Sequence, residues 1–278
     1  MMIKVLRAIV IKKLHHIKPA QNLRLSIGPE NAILVRTRFE FMNIIQNRRL
    51  KSIIEIGPLS RPMLHGPEID YFDLLPTPLL KQRAEREGLN PESVPDITFS
   101  HPEGDLTIIE RIYEGVASAH CIEHQPDLIS HLNNVANILE QGGCYFLVIP
   151  DSRYCFDHFI SESKLTDVVK AHREMRTRPD LYSVIEHRAL TCHNESGRHW
   201  NGDSGELFVD LKSRWEKAEA EFRNANGQYI DVHCWQFSPR SFRMIIEGLQ
   251  LLGLSSFVIE ELYETPKNDL EFFAVLKK

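Results

Sequence analysis

A glycine after one apolar run and an aspartate at the end of the next are the first residues whose spacing points to chemistry. Gly57 follows the run Ser52 to Ile56, and Asp73 ends the run that starts at Ile69. A nucleotide-type cofactor needs close approach to the backbone after a first strand, which glycine permits, and a carboxylate at the tip of a second strand to hold ribose hydroxyls. The same glycine also fits a simple turn. The pattern G-x-G-x-x-G is absent, since Gly57 is followed by Pro58-Leu59-Ser60-Arg61-Pro62.

Five short apolar runs and one amphipathic segment would position these residues. The amphipathic segment, Asp127 to Leu139, has apolar side chains at helical spacing, and Gly142-Gly143 is expected to end that helix. Alternating strands and helices predict an α/β fold with a doubly wound parallel sheet and helices on both faces. The predicted strands are Ser52 to Ile56, Ile69 to Asp73, about Asp96 to Phe99, Glu114 to Ala119 and Cys144 to Ile149.

The alternation lapses after Asp151, and the stretch to Tyr229 is polar and rich in His, Arg and Glu. It contains helix-like pieces at about residues 164–176 and 205–223. The α/β pattern then resumes with Ser238 to Leu252, Phe257 to Leu262 and Glu271 to Leu276. An insertion at the carboxyl end of a sheet strand lies over the ligand crevice. We therefore expect a helical cap at about residues 152–230, which would act as a lid or set substrate specificity.

The segment from Val116 to Asp151 resembles the later motifs of Rossmann-like (class I) S-adenosylmethionine-dependent methyltransferases. In that family a strand leads into a loop with histidine and glutamate, here Val116 to His124. A helix ending in L-x-x-G-G and a strand ending in I-P-D follow, here Leu139 to Gly143 and Cys144 to Asp151. The resemblance implies a Rossmann-like methyltransferase domain at residues 51–278.

Three further motifs are similar to one subgroup, the methyltransferases often found beside glycosyltransferases. The first motif there reads E-I-G-P-L-x-R-P, matched by Glu55 to Pro62, and R-Y-x-F-D follows I-P-D, matched by Arg153 to Asp157. The third, Y-I-D-V-H-C-W-x-F-[ST]-P-x-S-F, is matched by Tyr229 to Phe242. The resemblance therefore spans most of the chain after residue 50.

The resemblance implies a site for S-adenosyl-L-methionine (SAM). Gly57 and Pro58 would line its methionine moiety, Asp73 would bind the ribose and Phe99 would lie near the adenine. Two departures weaken the adenine contacts: Glu114 stands where an aspartate usually opens the fourth strand, and Thr98 where an acidic residue is common. Glu55 would anchor the loop near the amino group of the cofactor. Main-chain contacts to its methionine side would come from Ser118, Ala119 and His120.

Methyl transfer to an oxygen needs a base for the hydroxyl proton, and histidine suits that role near neutral pH. His124 and His233 occupy motif positions and are the predicted catalytic residues, although each could instead cap a loop or satisfy buried carbonyls. The acceptor would be bound or oriented by Asp151, Arg153 and Asp231.

The spacing His120-x-x-Glu123-His124 is also similar to a loop of metal-assisted methyltransferases. Those enzymes usually carry glutamate at the first position, where this chain has His120. For that reason no metal site is predicted from the sequence.

The predicted function is O-methylation of a sugar, a glycolipid or another small hydroxylated metabolite. The alternatives are an RNA or protein methyltransferase and a non-catalytic relative that binds the cofactor. Net charge is −5 overall, but the chain through Lys51 has eleven Lys and Arg against Glu30 and Glu40, which is +9 and leaves −14 for the remainder. An acidic body argues against a duplex nucleic acid partner, which needs a basic face.

The basic N-terminal part, residues 1–50, is predicted to be a helical extension. Apolar residues recur at helical spacing from Ile3 to Ile17, with Lys and Arg between them. Such a helix can pack on its own domain, join a homodimer, or make peripheral contact with an anionic membrane. No apolar run reaches the ~18–20 residues of a membrane span. With five irregularly spaced cysteines and no secretory signal, reduced thiols and a cytoplasmic location are expected.

Overall fold

A seven-stranded sheet organises residues 35–278, the part of the chain that the computed structural model describes. The strand order is β3-β2-β1-β4-β5-β7-β6. Only β7 runs antiparallel to its neighbours in this sheet; the pairs from β3 to β5 are all parallel. The strands are β1 (Ile53–Ile56), β2 (Ile69–Asp73), β3 (Phe99–Ser100), β4 (Tyr113–Ala119), β5 (Leu139–Pro150), β6 (Val258–Tyr263) and β7 (Glu271–Lys277).

Helices cover both faces of this sheet, which confirms the predicted doubly wound α/β fold. Successive residues of a strand point to opposite faces, so Ile54 and Tyr145 pack on one side while Ile53 and Phe146 pack on the other. The helices in the described part are α1 (Arg38–Asn47), α2 (Thr77–Arg86), α3 (Leu128–Asn137), α4 (Leu165–Arg173), α5 (Leu181–Ala189), α6 (Ser196–Trp200), α7 (Leu211–Asn224) and α8 (Pro239–Leu251).

Helix α1 covers one face of the sheet together with the strand residues beneath it. Phe41 and Ile45 are buried, and the Phe41 ring stacks on Phe273 of β7 with a centroid distance of 5.0 Å. The last part of the predicted N-terminal extension is thus packed on the sheet. The predicted helix Ile3 to Ile17 lies outside the described residues. No helix within residues 35–278 is long and apolar enough to cross a membrane.

The glycine pair Gly142-Gly143 does not end helix α3, contrary to the prediction. Ile138 is already the C-cap, and Leu139 pairs with Tyr113 as the first residue of β5. Residues between Leu139 and Cys144 then leave the ladder as a bulge, with Gly142 at φ +83°. The glycines are needed where the long strand bends, because such a φ is unfavourable for residues with a Cβ.

The chain leaves the sheet after β5 and returns to the same place, which closes the cap at its base. Asp151 and Phe237 form an isolated parallel bridge, and the Ser152 N–H donates to the Phe237 carbonyl at 2.8 Å. Helices α5 and α7 pack on each other around a small core of their own that includes Val184 and Ala218. Helix α4, in contrast, packs on the core of the main sheet.

Helix α7 starts at Leu211, later than the predicted start near Gly205. Gly202, Gly205 and Asp210 all have positive φ, so the backbone before Leu211 turns repeatedly and cannot continue a helix. Helices α5 and α7 lie within the predicted cap segment, whereas the first helix of that segment, α4, packs on the core of the main sheet.

Candidate active site

The carboxyl ends of β1, β2 and β4 lie side by side and form the base of the candidate site. Ile56 is in register with Phe72 of β2 and with Ser118 of β4. Gly57, which follows Ile56, and Asp73, which follows Phe72, therefore lie at the same edge of the sheet. The order of neighbouring strands reverses between β1 and β4, and ligands of open α/β sheets bind at such a switch point.

Gly57 has a left-handed backbone conformation at the end of β1. Its φ is +70°, and its N–H donates to the Phe72 carbonyl at 2.8 Å. A Cβ built on Gly57 would have Cys121 Sγ as its nearest neighbour at 3.7 Å, an ordinary contact distance. Gly57 thus has bare backbone opposite Cys121 of the loop after β4, and bare backbone permits close approach of a ligand.

Glu55 anchors the loop that follows Gly57. Its carboxylate is 1% exposed and accepts the Met63 N–H at 2.8 Å and the Leu64 N–H at 3.0 Å. Burial raises the pKa of Glu55 to about 7, against the lowering by these two N–H groups. The loop-anchoring role implied by the resemblance agrees with these contacts, while proximity to a cofactor amino group stays a prediction.

Asp73 lies at the tip of β2 with part of its acceptor capacity unused. The side chain is 6% exposed, and it accepts the Leu74 N–H at 2.7 Å and the Leu59 N–H at 3.4 Å. Burial raises the pKa of Asp73 above its ordinary value. A carboxylate offers about four lone-pair sites, so two backbone donors leave room for ribose hydroxyls.

The remaining predicted cofactor residues lie around the same edge. Ser118 is buried, with its Oγ 2.8 Å from the Tyr145 hydroxyl, so only its main chain could meet a ligand. His120 just after β4 has φ +49°, and its Nε2 lies 2.6 Å from Glu271 Oε1. Phe99 is in register with Phe72, beside Asp73. Ala119 is the last residue of β4, and Pro58 directly follows Gly57. Contacts of these residues with a cofactor stay predictions.

The cap brings His233 to His124, although 109 positions of sequence separate them. The Cys234 N–H donates to the Glu123 carbonyl at 2.7 Å, and Trp235 Nε1–H donates to the Gln125 carbonyl at 2.6 Å. These bonds fasten the returning chain to the turn after β4. The rings of His124 and His233 consequently meet edge to face, with centroids 4.7 Å apart.

Each of these two histidines contacts a carboxylate through its Nδ1. His124 Nδ1 lies 2.9 Å from Asp231 Oδ1, and His233 Nδ1 lies 2.6 Å from Asp157 Oδ2. Burial lowers the pKa of His233 to about 3, and it raises that of Asp157 to about 7. Burial opposes the charge on His124, but the carboxylates of Asp231, Glu123 and Asp157 together outweigh burial and raise the His124 pKa.

Of the predicted acceptor residues, Asp231 lies beside His124, whereas Asp151 is paired with Arg153. Asp231 is half-exposed and contacts both His124 and Arg83 Nη2, the latter at 3.1 Å. Asp151 is fully buried, and Arg153 binds it through Nε at 2.9 Å and through Nη2 at 2.6 Å. Asp151 therefore orients the half-exposed Arg153, and contacts of either residue with an acceptor stay predictions.

Sequence reasoning missed Glu123 and Asp157 as residues of this site. Both were inside quoted motifs, His120-x-x-Glu123-His124 and Arg153 to Asp157, and that was the signal available. Glu123 is 0% exposed, and neither of its carboxylate oxygens has a hydrogen-bond partner within residues 35–278. A buried carboxylate without a partner is costly, so its presence needs a chemical explanation.

Solved structures of methyltransferases align with most of this chain at low sequence identity. An S-adenosylmethionine-dependent methyltransferase from Clostridium acetobutylicum ATCC 824 is 9% identical over 87% of this chain and 92% of that chain, with a TM-score of 0.44. PigF, solved with S-adenosyl-L-homocysteine (SAH), is 13% identical over 87% of this chain and 54% of the PigF chain, with a TM-score of 0.40. This chain therefore spans about half the length of PigF.

A third neighbour is the N-methyltransferase NodS from Bradyrhizobium japonicum WM9 in complex with SAH. It is 9% identical over 87% of this chain and 85% of that chain, with a TM-score of 0.39. No protein-family model matches the chain, and no curated protein does. The strand order of this chain is that of a Rossmann-like α/β sheet. At these identities the similarity gives no residue its role and identifies no substrate.

Proposed function

We propose that the chain is a SAM-dependent methyltransferase whose cofactor lies across the carboxyl ends of β1, β2 and β4. The observation that carries the proposal is the alignment of Gly57 and Asp73 at the switch point of the sheet. Bare backbone with a positive φ beside a buried carboxylate with unused lone pairs fits a nucleoside joined to an amino acid.

Different residues at this edge would contact different parts of the cofactor. Asp73 would accept hydrogen bonds from the ribose hydroxyls, and Gly57 would let the methionine part approach the backbone. Glu55 keeps the loop from Pro58 to Leu64 in place through two backbone N–H groups. When bound, SAM supplies an electrophilic methyl group. The acceptor would be activated at the pair formed by His124 and His233, which borders the same edge.

The acceptor class rests on the chemistry of the cap mouth. Beside His124 lie the half-exposed Asp231 and its partner Arg83, which suit hydrogen bonding to several hydroxyl groups. We propose O-methylation of a sugar, a glycolipid or another small hydroxylated metabolite. The chain after Lys51 carries a net charge of −14, which disfavours an RNA acceptor.

Two measurements test this function in sequence. Calorimetric titration of the full chain with SAH should give one site per chain. Transfer of a labelled methyl group from SAM should then be found on hydroxylated sugars or glycolipids and not on RNA or protein. If RNA or protein is labelled instead, the proposed acceptor class is wrong. SAH binding without methyl transfer to any acceptor would favour a non-catalytic relative.

The histidine pair gives the catalytic prediction of this proposal. Replacing His124 or His233 by alanine should lower turnover by about 10²–10⁴-fold, because activation of the acceptor contributes only to the transition state. SAH affinity should change by no more than a few-fold, since Gly57 and Asp73 lie on other elements. Full activity in both variants would show that the pair takes no part in the reaction.

A further inference from the structure

Three side chains from two distant parts of the sequence bring carboxylate and imidazole atoms of the kind that bind metal ions close together. One ligand atom each from Glu123, His124 and His233 lie within 4.8 Å of one another. Glu123 and His124 belong to the short 3-10 turn after β4, and His233 belongs to the chain that returns from the cap. We refer to these three residues as the Glu123 cluster.

The Glu123 carboxylate is the feature that the rest of the protein does not account for. It is fully buried, and both of its oxygens lack a hydrogen-bond partner within the described residues. The nearest imidazole nitrogens are His120 Nδ1 at 3.7 Å and the Nε2 atoms of His124 and His233, both at 3.9 Å, all measured from Oε1. These distances are too long for hydrogen bonds. They suit atoms that share an ion, since each ligand bond is about 2.0–2.2 Å.

The opposite nitrogen of each histidine lies beside a carboxylate. His233 Nδ1 is hydrogen-bonded to Asp157 Oδ2 at 2.6 Å, and His124 Nδ1 lies 2.9 Å from Asp231 Oδ1 without the angles of a hydrogen bond. A carboxylate that accepts the Nδ1–H leaves the lone pair on Nε2, which points to Glu123. Histidines that bind metals are oriented in this way by a second carboxylate. His233 has this arrangement, and His124 has a carboxylate close to the same ring nitrogen.

A neighbouring group of Asp157, His187 and His233 also has ligand-type atoms close together, but its hydrogen bonds exclude it. His187 Nδ1 accepts the backbone N–H of His233 at 3.0 Å. The neutral His187 ring then carries its hydrogen on Nε2, so neither nitrogen has a free lone pair. Asp157 in turn is the acceptor for His233 Nδ1. These residues support His233 from behind.

We propose that Glu123, His124 and His233 bind a divalent first-row transition metal ion. Imidazole nitrogens and a carboxylate oxygen suit ions such as Co²⁺, Mn²⁺, Fe²⁺ and Zn²⁺ better than Mg²⁺, which prefers oxygen ligands. Three protein ligands leave coordination positions open for water or for an oxygen of another molecule. The ion also compensates the charge of the buried Glu123 carboxylate.

The site has a consequence for the architecture and one for the reaction. Since His233 comes from the returning cap segment and the other two ligands from the turn after β4, the ion would join the cap to the sheet edge. Ion binding does not depend on the proposed methyltransferase function. Its use in activating an acceptor oxygen rests on that function and would replace a direct base role of the two Nε2 atoms.

Titration of the full chain with Co²⁺, without SAM, tests the ion site separately from the function. We expect one Co²⁺ per chain by calorimetry, with a visible absorption band from the bound ion and a rise in Tm. Glu123→Gln and His233→Gln should each weaken binding by about tenfold or more. His193→Gln is the matched control, because it removes a partly buried cap imidazole whose nitrogens contact Asp203 and Glu195 and not Glu123, and it should bind Co²⁺ like the native chain.

Failure of the native chain to bind Co²⁺ or Zn²⁺ up to roughly 1 mM would overturn the proposal whatever the variants do. Binding that survives Glu123→Gln but is lost in His187→Gln would also overturn it and place the ion in the neighbouring group. If a ligand variant does not fold, the stoichiometry and the metal-dependent Tm of the native chain still decide the question. SAH binding in the absence of metal would leave the methyltransferase proposal intact in every case.

Discussion

The proposed role of the Asp73 carboxylate in cofactor binding can be tested by a single substitution, because this side chain makes few contacts within the protein. Asp73→Ala removes the proposed acceptor for the ribose hydroxyls and should weaken SAH binding by about tenfold or more. A charge-assisted hydrogen bond contributes roughly 1.5–3 kcal/mol. The measurement is calorimetric titration of SAH, with a thermal melt to confirm that the variant folds. An unchanged dissociation constant in a folded variant would remove Asp73 from the cofactor site.

Gly57 offers a test with a matched control in the same chain. A Cβ at Gly57 meets only Cys121 at an ordinary distance of 3.7 Å, so Gly57→Ala fits the unliganded protein but carries the strain of φ +70°. Gly88 has φ +72° with nothing within 4 Å of a Cβ, so Gly88→Ala carries the same strain away from the site. Both variants should lose on the order of 1 kcal/mol of stability.

Only Gly57→Ala should also lose SAH affinity, by about tenfold or more, because the added methyl group stands where the ligand approaches the backbone. SAH titrations of the two alanine variants side by side make the comparison. Equal affinities would mean that Gly57 is a turn residue and nothing more.

At the scale of elements, a buried chain of polar groups couples helix α3 to the strands of the site. His131 Nε2 on α3 lies 3.0 Å from the Tyr145 hydroxyl of β5, and that hydroxyl lies 2.8 Å from Ser118 Oγ of β4. Burial lowers the pKa of His131 to about 4. Between pH 6.5 and 4 the unfolded chain therefore binds a proton that the native protein does not, and stability falls as the pH is lowered.

His131→Gln removes this titration and should flatten the pH dependence of unfolding. Between pH 7 and pH 5 the native chain should lose on the order of 2 kcal/mol more than the variant. Urea unfolding at both pH values, followed by fluorescence, measures the difference between the two proteins. Parallel pH profiles would show that His131 is protonated in the folded state and that its burial is less complete than the structure indicates.

The strands and the cap were predictable to different degrees for physical reasons. Apolar runs and the Gly57 and Asp73 positions follow from the short-range pattern of a buried parallel sheet, and the structure has these strands within a few residues. Gly142-Gly143 misled the prediction because a glycine pair can end a helix or form a bulge, and the pairing of Leu139 with Tyr113 decides which. That pairing is a long-range contact that no local pattern contains.

The carboxylates around the histidines were unpredictable for a similar reason. Asp157 and Glu123 are far apart in sequence, and both lie close to His233 because the segment returning from the cap docks on the turn after β4. The motifs containing them could be recognised, but their burial and their pairing with particular ring nitrogens depend on how that segment docks. Their roles therefore required the three-dimensional arrangement.

At the scale of the whole molecule, the uneven charge of the sequence leads to a test of the N-terminal part. We propose that the basic residues near the N-terminus contact anionic lipid, while packing on a neighbouring subunit is the competing outcome. In the full chain, Lys12→Glu with Lys13→Glu should reduce sedimentation with phosphatidylserine vesicles, since each basic residue contributes about 1 kcal/mol near such a surface. SAH affinity should not change.

The matched control is Lys212→Glu with Lys217→Glu, which makes the same change in net charge on exposed positions of α7. It should leave sedimentation as in the native chain. If neither pair of substitutions affects sedimentation but the first changes the oligomeric size, the N-terminal part serves assembly. Vesicles of phosphatidylcholine alone should bind none of the proteins.

The location of the cofactor is the central claim, and a crystal structure of the full chain soaked with SAH tests it most directly. The account predicts ribose hydroxyls within hydrogen-bond distance of the Asp73 carboxylate and the homocysteine part against the Gly57 backbone. The sulfur should face the side of the cleft on which His124 and His233 lie. SAH bound elsewhere, or a site at Gly57 and Asp73 that stays empty at saturating SAH, would contradict it.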